Sequence, residues 1–103
     1  MMEMEYFVYI LYSASFDRFY IGFTSNLDQR IQSHNSNQKA STFTSKYKPW
    51  AIVVSHSLGD NITLARKIER KLKSLKSKKM LVYWMDAPVE FDVYMQKLIN
   101  TTP

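Results

Sequence analysis

Five side chains of this sequence could act together on one substrate: the phenols of Tyr9 and Tyr20, the guanidinium of Arg30, the imidazole of His34 and the carboxylate of Glu69. A guanidinium grips phosphate oxygens two at a time and stabilises charge developing on them. His34 follows Arg30 by four positions, one turn along the same face of a helix, where an imidazole can serve as general base or phosphate ligand. Glu69 could hold a divalent ion, since Mg²⁺ commonly takes one or two protein carboxylates and completes its shell with water and phosphate oxygens. A phenol titrates near pKa ~10 and acts as a base only where neighbouring cations favour the phenolate. These are the parts needed to cut a phosphodiester around a single metal ion.

Each has a plainer reading. Glu69 can pair with Lys73 four positions on or with Arg66 three positions back, an exposed contact worth a few tenths of a kcal/mol. Arg30 can be a surface arginine near Asp28, and a helical histidine is commonly a structural hydrogen-bonder. Strand tyrosines are ordinarily half-buried packing residues with the hydroxyl at the rim.

Positioning these groups falls to a small set of elements. Tyr6–Tyr12 and Phe19–Phe23 are rich in β-branched and aromatic residues, and the polar Ser13–Arg18 between them turns a hairpin. Tyr6–Tyr12 is apolar on both faces, as a central strand should be. Asn26 is suited to cap a helix over Leu27–Ser36, with Asp28 in its first turn. Residues 35–48 form a polar connection closed by Pro49, and Trp50–Ser55 reads as a third strand. After Gly59-Asp60-Asn61, Ala65, Ile68, Leu72 and Leu75 recur at helical spacing. A short helix is expected over Lys78–Met85, broken by Asp86-Ala87-Pro88. The expectation is an α+β fold, a three-stranded sheet in the order β-β-α-β-α-α flanked by helices. Residues 1–86 form the domain, and residues 87–103 a C-terminal tail, with Phe91, Tyr94, Met95 and Leu98 suited to a short helix.

The ordered motifs resemble the GIY-YIG nuclease superfamily, most closely its short single-domain bacterial members. The resemblance runs from about Tyr6 to Trp84. It rests on Val8-Tyr9-Ile10, Tyr20-Ile21-Gly22 followed by Thr24, Arg30-x-x-x-His34-Asn35, Thr44 with Pro49, and Ala65-x-x-x-Glu69 before a lysine-rich stretch. Val8 stands where the family name has glycine, a strand position without a chemical role. The resemblance implies that Glu69 is the ligand of a divalent metal, Mg²⁺ or Mn²⁺, and that Arg30 is the catalytic arginine. It also implies that one phenol helps to deprotonate the attacking water and the other positions groups at the scissile phosphate. Tyr9 is assigned to the first role and Tyr20 to the second. All five side chains should then line one concave surface, with Glu69 on the tyrosine side of the sheet.

Composition agrees with such a domain. The 103 residues are 46% hydrophobic and 22% charged and contain no cysteine, which removes disulfides and thiolate metal sites and fits a reducing cytoplasm. No stretch approaches the ~20 apolar residues of a membrane span, and the acidic Met1–Glu5 is unlike a secretory signal. Residues 39–79 carry eleven Lys and Arg against Asp60 and Glu69. A polyanion would be drawn there, unless the charges are only a solvated face. Thr24, Thr44, Lys46, Lys48, Lys71, Lys73 and Lys76 are the candidate nucleic-acid contacts. The leading expectation is a metal-dependent DNA endonuclease. With no room for an added DNA-binding module, it would select a structure such as a branch or flap, as in repair, or depend on a protein partner. The competing expectation is a module of the same fold that binds nucleic acid and cuts it slowly or not at all.

Overall fold

The computed structural model describes residues 4–36, 44 and 46–103. The polar connection expected over residues 35–48 therefore lies largely outside the described residues, as does the start of the acidic N-terminus. Strands β1 (Phe7–Ser13) and β2 (Arg18–Thr24) form the hairpin, paired antiparallel with Tyr9 opposite Gly22 and Leu11 opposite Tyr20. Its turn passes through Asp17 at φ 54°, a left-handed conformation that a short polar side chain tolerates. The Tyr12 hydroxyl donates to Asp17 Oδ1 at 2.8 Å, and the Lys78 ammonium ties the turn to the segment after residue 77.

Strand β3 (Ala51–Ser57) pairs antiparallel with the other edge of β1, giving the order β2-β1-β3. Its register shifts between Ile10 and Leu11. A doubly paired β1 is apolar on both faces because both faces are covered, and the two covers differ. Val8 and Ile10 point into the main core, with Ala65, Ile68, Leu72, Trp84, Phe91 and Met95. Tyr9 and Leu11, on the other face, pack with Trp50, Tyr20, Leu27 and Ile31.

Helix α1 (Leu27–Asn35) covers the tyrosine face, starting where Asn26 Oδ1 accepts from the Gln29 amide at 3.1 Å. Helices α2 (Ile62–Leu75), α3 (Lys78–Asp86) and α4 (Pro88–Asn100) cover the other. Asn61 caps α2 and Ser77 caps α3, and Pro88 occupies the first turn of α4, where its missing amide hydrogen costs nothing. The segment expected as a tail supplies 13 helical residues. Its Phe91 and Met95 are fully buried, with Phe91 edge-on to Trp84 at 5.2 Å between ring centres. His56, on β3, fastens α4 through Asp92 Oδ1 at 2.8 Å. None of the helices is long and apolar enough to cross a membrane, among the described residues.

Candidate functional site

At the β2 edge of the sheet a cleft of about 320 Å³ opens between the two helical layers, and Tyr9, Tyr20, Arg30 and Glu69 line it. The helices that carry Arg30 and Glu69 lie on opposite faces of the sheet, so the site is assembled around an edge strand rather than on one face. Glu69 comes one position after Ile68 and three before Leu72, both in the core. That register turns its side chain to the flank of α2 and past β2 into the cleft with the two phenols. His34 is buried behind the cleft wall at 5% exposure.

Gly22 makes the arrangement possible. Tyr9 sits on the central strand, and to reach the cleft its ring must cross β2 at the opposing residue. A Cβ at Gly22 would lie 2.5 Å from the Tyr9 hydroxyl oxygen and 2.8 Å from Cζ, closer than any real contact. The missing side chain is therefore a channel for the phenol. Beyond it the Tyr9 hydroxyl meets His34 Nε2 at 3.0 Å. The imidazole is also packed against Tyr20, with ring centres 4.9 Å apart.

Burial sets the protonation of this couple. Loss of solvent, then the neighbouring Tyr20, pushes the Tyr9 phenol above its ordinary range, against the opposing pull of Arg30. Burial, then the Arg30 charge, pulls His34 below its ordinary value. At neutral pH the pair is a phenol beside a neutral imidazole. Arg30 by itself does not offset the loss of solvent at the Tyr9 hydroxyl.

Arg30 is exposed at the cleft mouth and has no ion-pair partner among the described residues. Among the described residues Glu69 is the one carboxylate lining the cleft, and no group of three or more His, Cys, Asp or Glu that could hold a metal occurs among them. A single carboxylate suits an ion that completes its shell with water and phosphate oxygens, as Mg²⁺ does, and not one that needs a protein cage. Of the two ion-pair partners weighed for Glu69, Lys73 is the one present, with Nζ 3.6 Å from Oε1 and half its side chain in solvent. Such a contact is weak.

The remaining candidates are scattered. Thr24 lines the cleft but spends its hydroxyl on the turn into α1, bonding the Asn26 amide at 3.1 Å and carbonyl at 3.3 Å. Thr44 is fully buried, its carbonyl accepting from Trp50 Nε1 at 2.8 Å. Lys46 is exposed and Lys48 half-buried, and neither lines the cleft. Lys73 and Lys76 lie on the Glu69 flank of α2, beside a second and larger hollow. Lys71 is two residues from Glu69, about 200° around the helix, and donates instead to Thr102 Oγ1 at 2.9 Å.

Tyr6 and Asn35 take roles that their places in the strand and motif did not indicate. Tyr6 lines the cleft from the start of the central-strand segment, which its apolar pattern presented only as packing. Asn35 clamps the backbone of Trp50, accepting from its amide at 2.6 Å and donating to its carbonyl at 3.0 Å. Its position directly after His34 was the available signal, but its partner lies across a segment without periodicity.

Comparison with known families matches the GIY-YIG catalytic domain to residues 5–81, a span that holds all five site side chains. Neither curated proteins nor solved structures give a match. A GIY-YIG catalytic domain implies nuclease-type activity in general, with DNA as the substrate class, and nucleases of this type generally use divalent metals. With the match extending over most of its length, the chain belongs to the GIY-YIG family.

Proposed function

We propose that this protein is a metal-dependent endonuclease that hydrolyses DNA phosphodiester bonds at the Tyr9–Glu69 cleft. The observation that carries the reading is the Tyr9–His34 hydrogen bond at 3.0 Å, made at a cleft that also presents a guanidinium and one carboxylate. Glu69 would hold the divalent ion, Mg²⁺ or Mn²⁺, whose chemistry is to neutralise phosphate charge and ease deprotonation of water. Arg30, exposed and unpaired among the described residues, binds the non-bridging oxygens as charge builds on them. Tyr20 orients the phosphate from the opposite wall.

Proton removal falls to Tyr9 and His34 as a couple. With its own proton on Nδ1, neutral His34 accepts at Nε2 the proton of the Tyr9 hydroxyl. Tyr9 in turn takes a proton from the attacking water. The phenol need never rest as a phenolate, which agrees with a pKa raised by burial. The strain-free crossing at Gly22 holds the hydroxyl in place throughout.

A nucleic-acid-binding module without catalysis is favoured by one contact, the Lys73 ammonium 3.6 Å from Glu69, where a metal would otherwise sit. The distance and exposure make that contact easily displaced. Selection of branched or flap DNA in repair, help from a protein partner and a cytoplasmic setting are part of the same proposal. The test is incubation of the protein with single-stranded, duplex, flap and branched DNA, with Mg²⁺ or Mn²⁺ and with a chelator. Metal-dependent cutting of at least one substrate is expected. Binding without cutting across the whole panel selects the binding module.

A further inference from the structure

A second hollow is larger than the cleft. It is a groove of about 540 Å³ between β2 and the corner joining α2 to α3, within the ~300–1,000 Å³ range of small-molecule sites. The half-buried Phe19, Ile21 and Leu81 supply apolar and aromatic walls above the buried Trp84, and Leu75 and Met80 at its lip are 41% and 38% exposed. Around it stand Arg18, Lys73, Lys76 and Lys78, against the single acid Asp17, which is already engaged by Lys78 and Tyr12. Tyr20 lines this groove and the cleft alike, so the two hollows share a wall.

An apolar, aromatic floor ringed by cations suits a flat uncharged ring attached to an anionic chain. Resting on the nuclease reading of the cleft, we infer that the groove receives an unpaired nucleobase adjoining the phosphate that is cut. Base–aromatic stacking tolerates any sequence, and cations along the rim track the backbone. A continuous duplex keeps its bases stacked inside and has none to offer, whereas a single strand, a flap or a branch presents one at no unpairing cost. The groove thus makes unpaired DNA the preferred substrate.

The test compares an octathymidylate with an abasic octamer of the same charge, both with chelator so that nothing is cut. The thymidylate binds at least roughly tenfold more tightly, the effect of one or two stacked bases. It shifts the backbone amide resonances of Leu75, Ser77, Met80 and Leu81, which the abasic chain leaves in place. Leu75→Trp fills the lip of the groove and brings the affinity ratio to within about twofold. Equal affinities in the parent overturn the inference. So do amide shifts alike for both ligands, which would mark a phosphate path only, or a ratio that Leu75→Trp leaves unchanged or raises. Failure of the nuclease reading shows separately, as no metal-dependent cleavage by the parent on the DNA panel, and leaves the affinity ratio readable.

Discussion

Tyr9 passes over Gly22, its cross-strand partner, so closely that a single added methyl would fall 2.5 Å from the phenol oxygen. Gly22→Ala must therefore displace a buried ring or the strand beneath it. Overpacking of this kind costs about 1–3 kcal/mol. Urea unfolding should register that loss, and cleavage should fall further than stability does, because the hydroxyl leaves His34. A variant with parental stability and cleavage would show that the crossing is slack.

The Tyr9–His34 couple sets a pH dependence. Burial lowers the His34 pKa from its ordinary value near 6.5, so the imidazole stays neutral, and able to accept the Tyr9 proton, well into mild acid. Cleavage should hold from neutrality down past pH ~6.5 and decline only below it. Stability moves in the same direction. The unfolded chain binds this proton more readily than the native one, so stability falls as pH drops below the unfolded value and levels off below the native value. In His34→Gln the acid limb of activity should vanish together with most of the rate. A cleavage profile centred above the ordinary histidine range in the parent would contradict the assignment.

Asn35 joins the end of α1 to the entry of β3 by two hydrogen bonds to the backbone of Trp50. Asn35→Ala removes two hydrogen bonds to the backbone of a buried residue, each with a net worth of about 0.5–1.5 kcal/mol. A drop of roughly 2 kcal/mol in urea unfolding, with the slope unchanged, is the expected result. Parental stability would mean that water takes over both bonds.

Lys76 ends α2 with φ 49° and ψ 39°, a left-handed conformation that glycine adopts without the Cβ penalty. Lys76→Gly should leave the fold unchanged or stabilise it by up to about 1 kcal/mol. The same change removes one cation from the groove rim, so DNA binding should weaken and its logarithmic salt slope should lose about one unit. Thermal unfolding and a salt titration of affinity separate the two effects. An unaltered slope would show that Lys76 contacts no phosphate.

Much of this fold was legible because it is written in local chemistry. Apolar residues on both faces marked β1 as central, the polar Ser13–Arg18 marked the hairpin, and Asn26 marked a helix start by the cap it forms. The motif residues were legible because their order and spacing are those of a family. What could not be read is which layer covers which face. Both faces of β1 are apolar, and nothing in that pattern says that α1 takes the Tyr9 side while α2 takes the Val8 side. The cleft at the β2 edge follows from that division. Phe91 and Met95 looked like one stripe of an isolated helix, since their partners lie far away in sequence on β1 and α2. Lys71 stood in a basic run with Lys73 and Lys76, but the run hides a helical register that sends it to Thr102.

The most direct test of the account is cleavage by Glu69→Gln, which keeps the shape of the side chain and removes the charge that would hold the ion. Loss of an outer-shell partner at a metal site costs about 10–100-fold in affinity or activity, and loss of the ligand itself should cost at least as much. Metal-dependent cleavage by this variant should fall at least about a hundredfold below the parent while DNA affinity, measured with chelator, stays within a few-fold. Cleavage by Glu69→Gln at the parental rate would contradict the assignment of the cleft as the catalytic metal site.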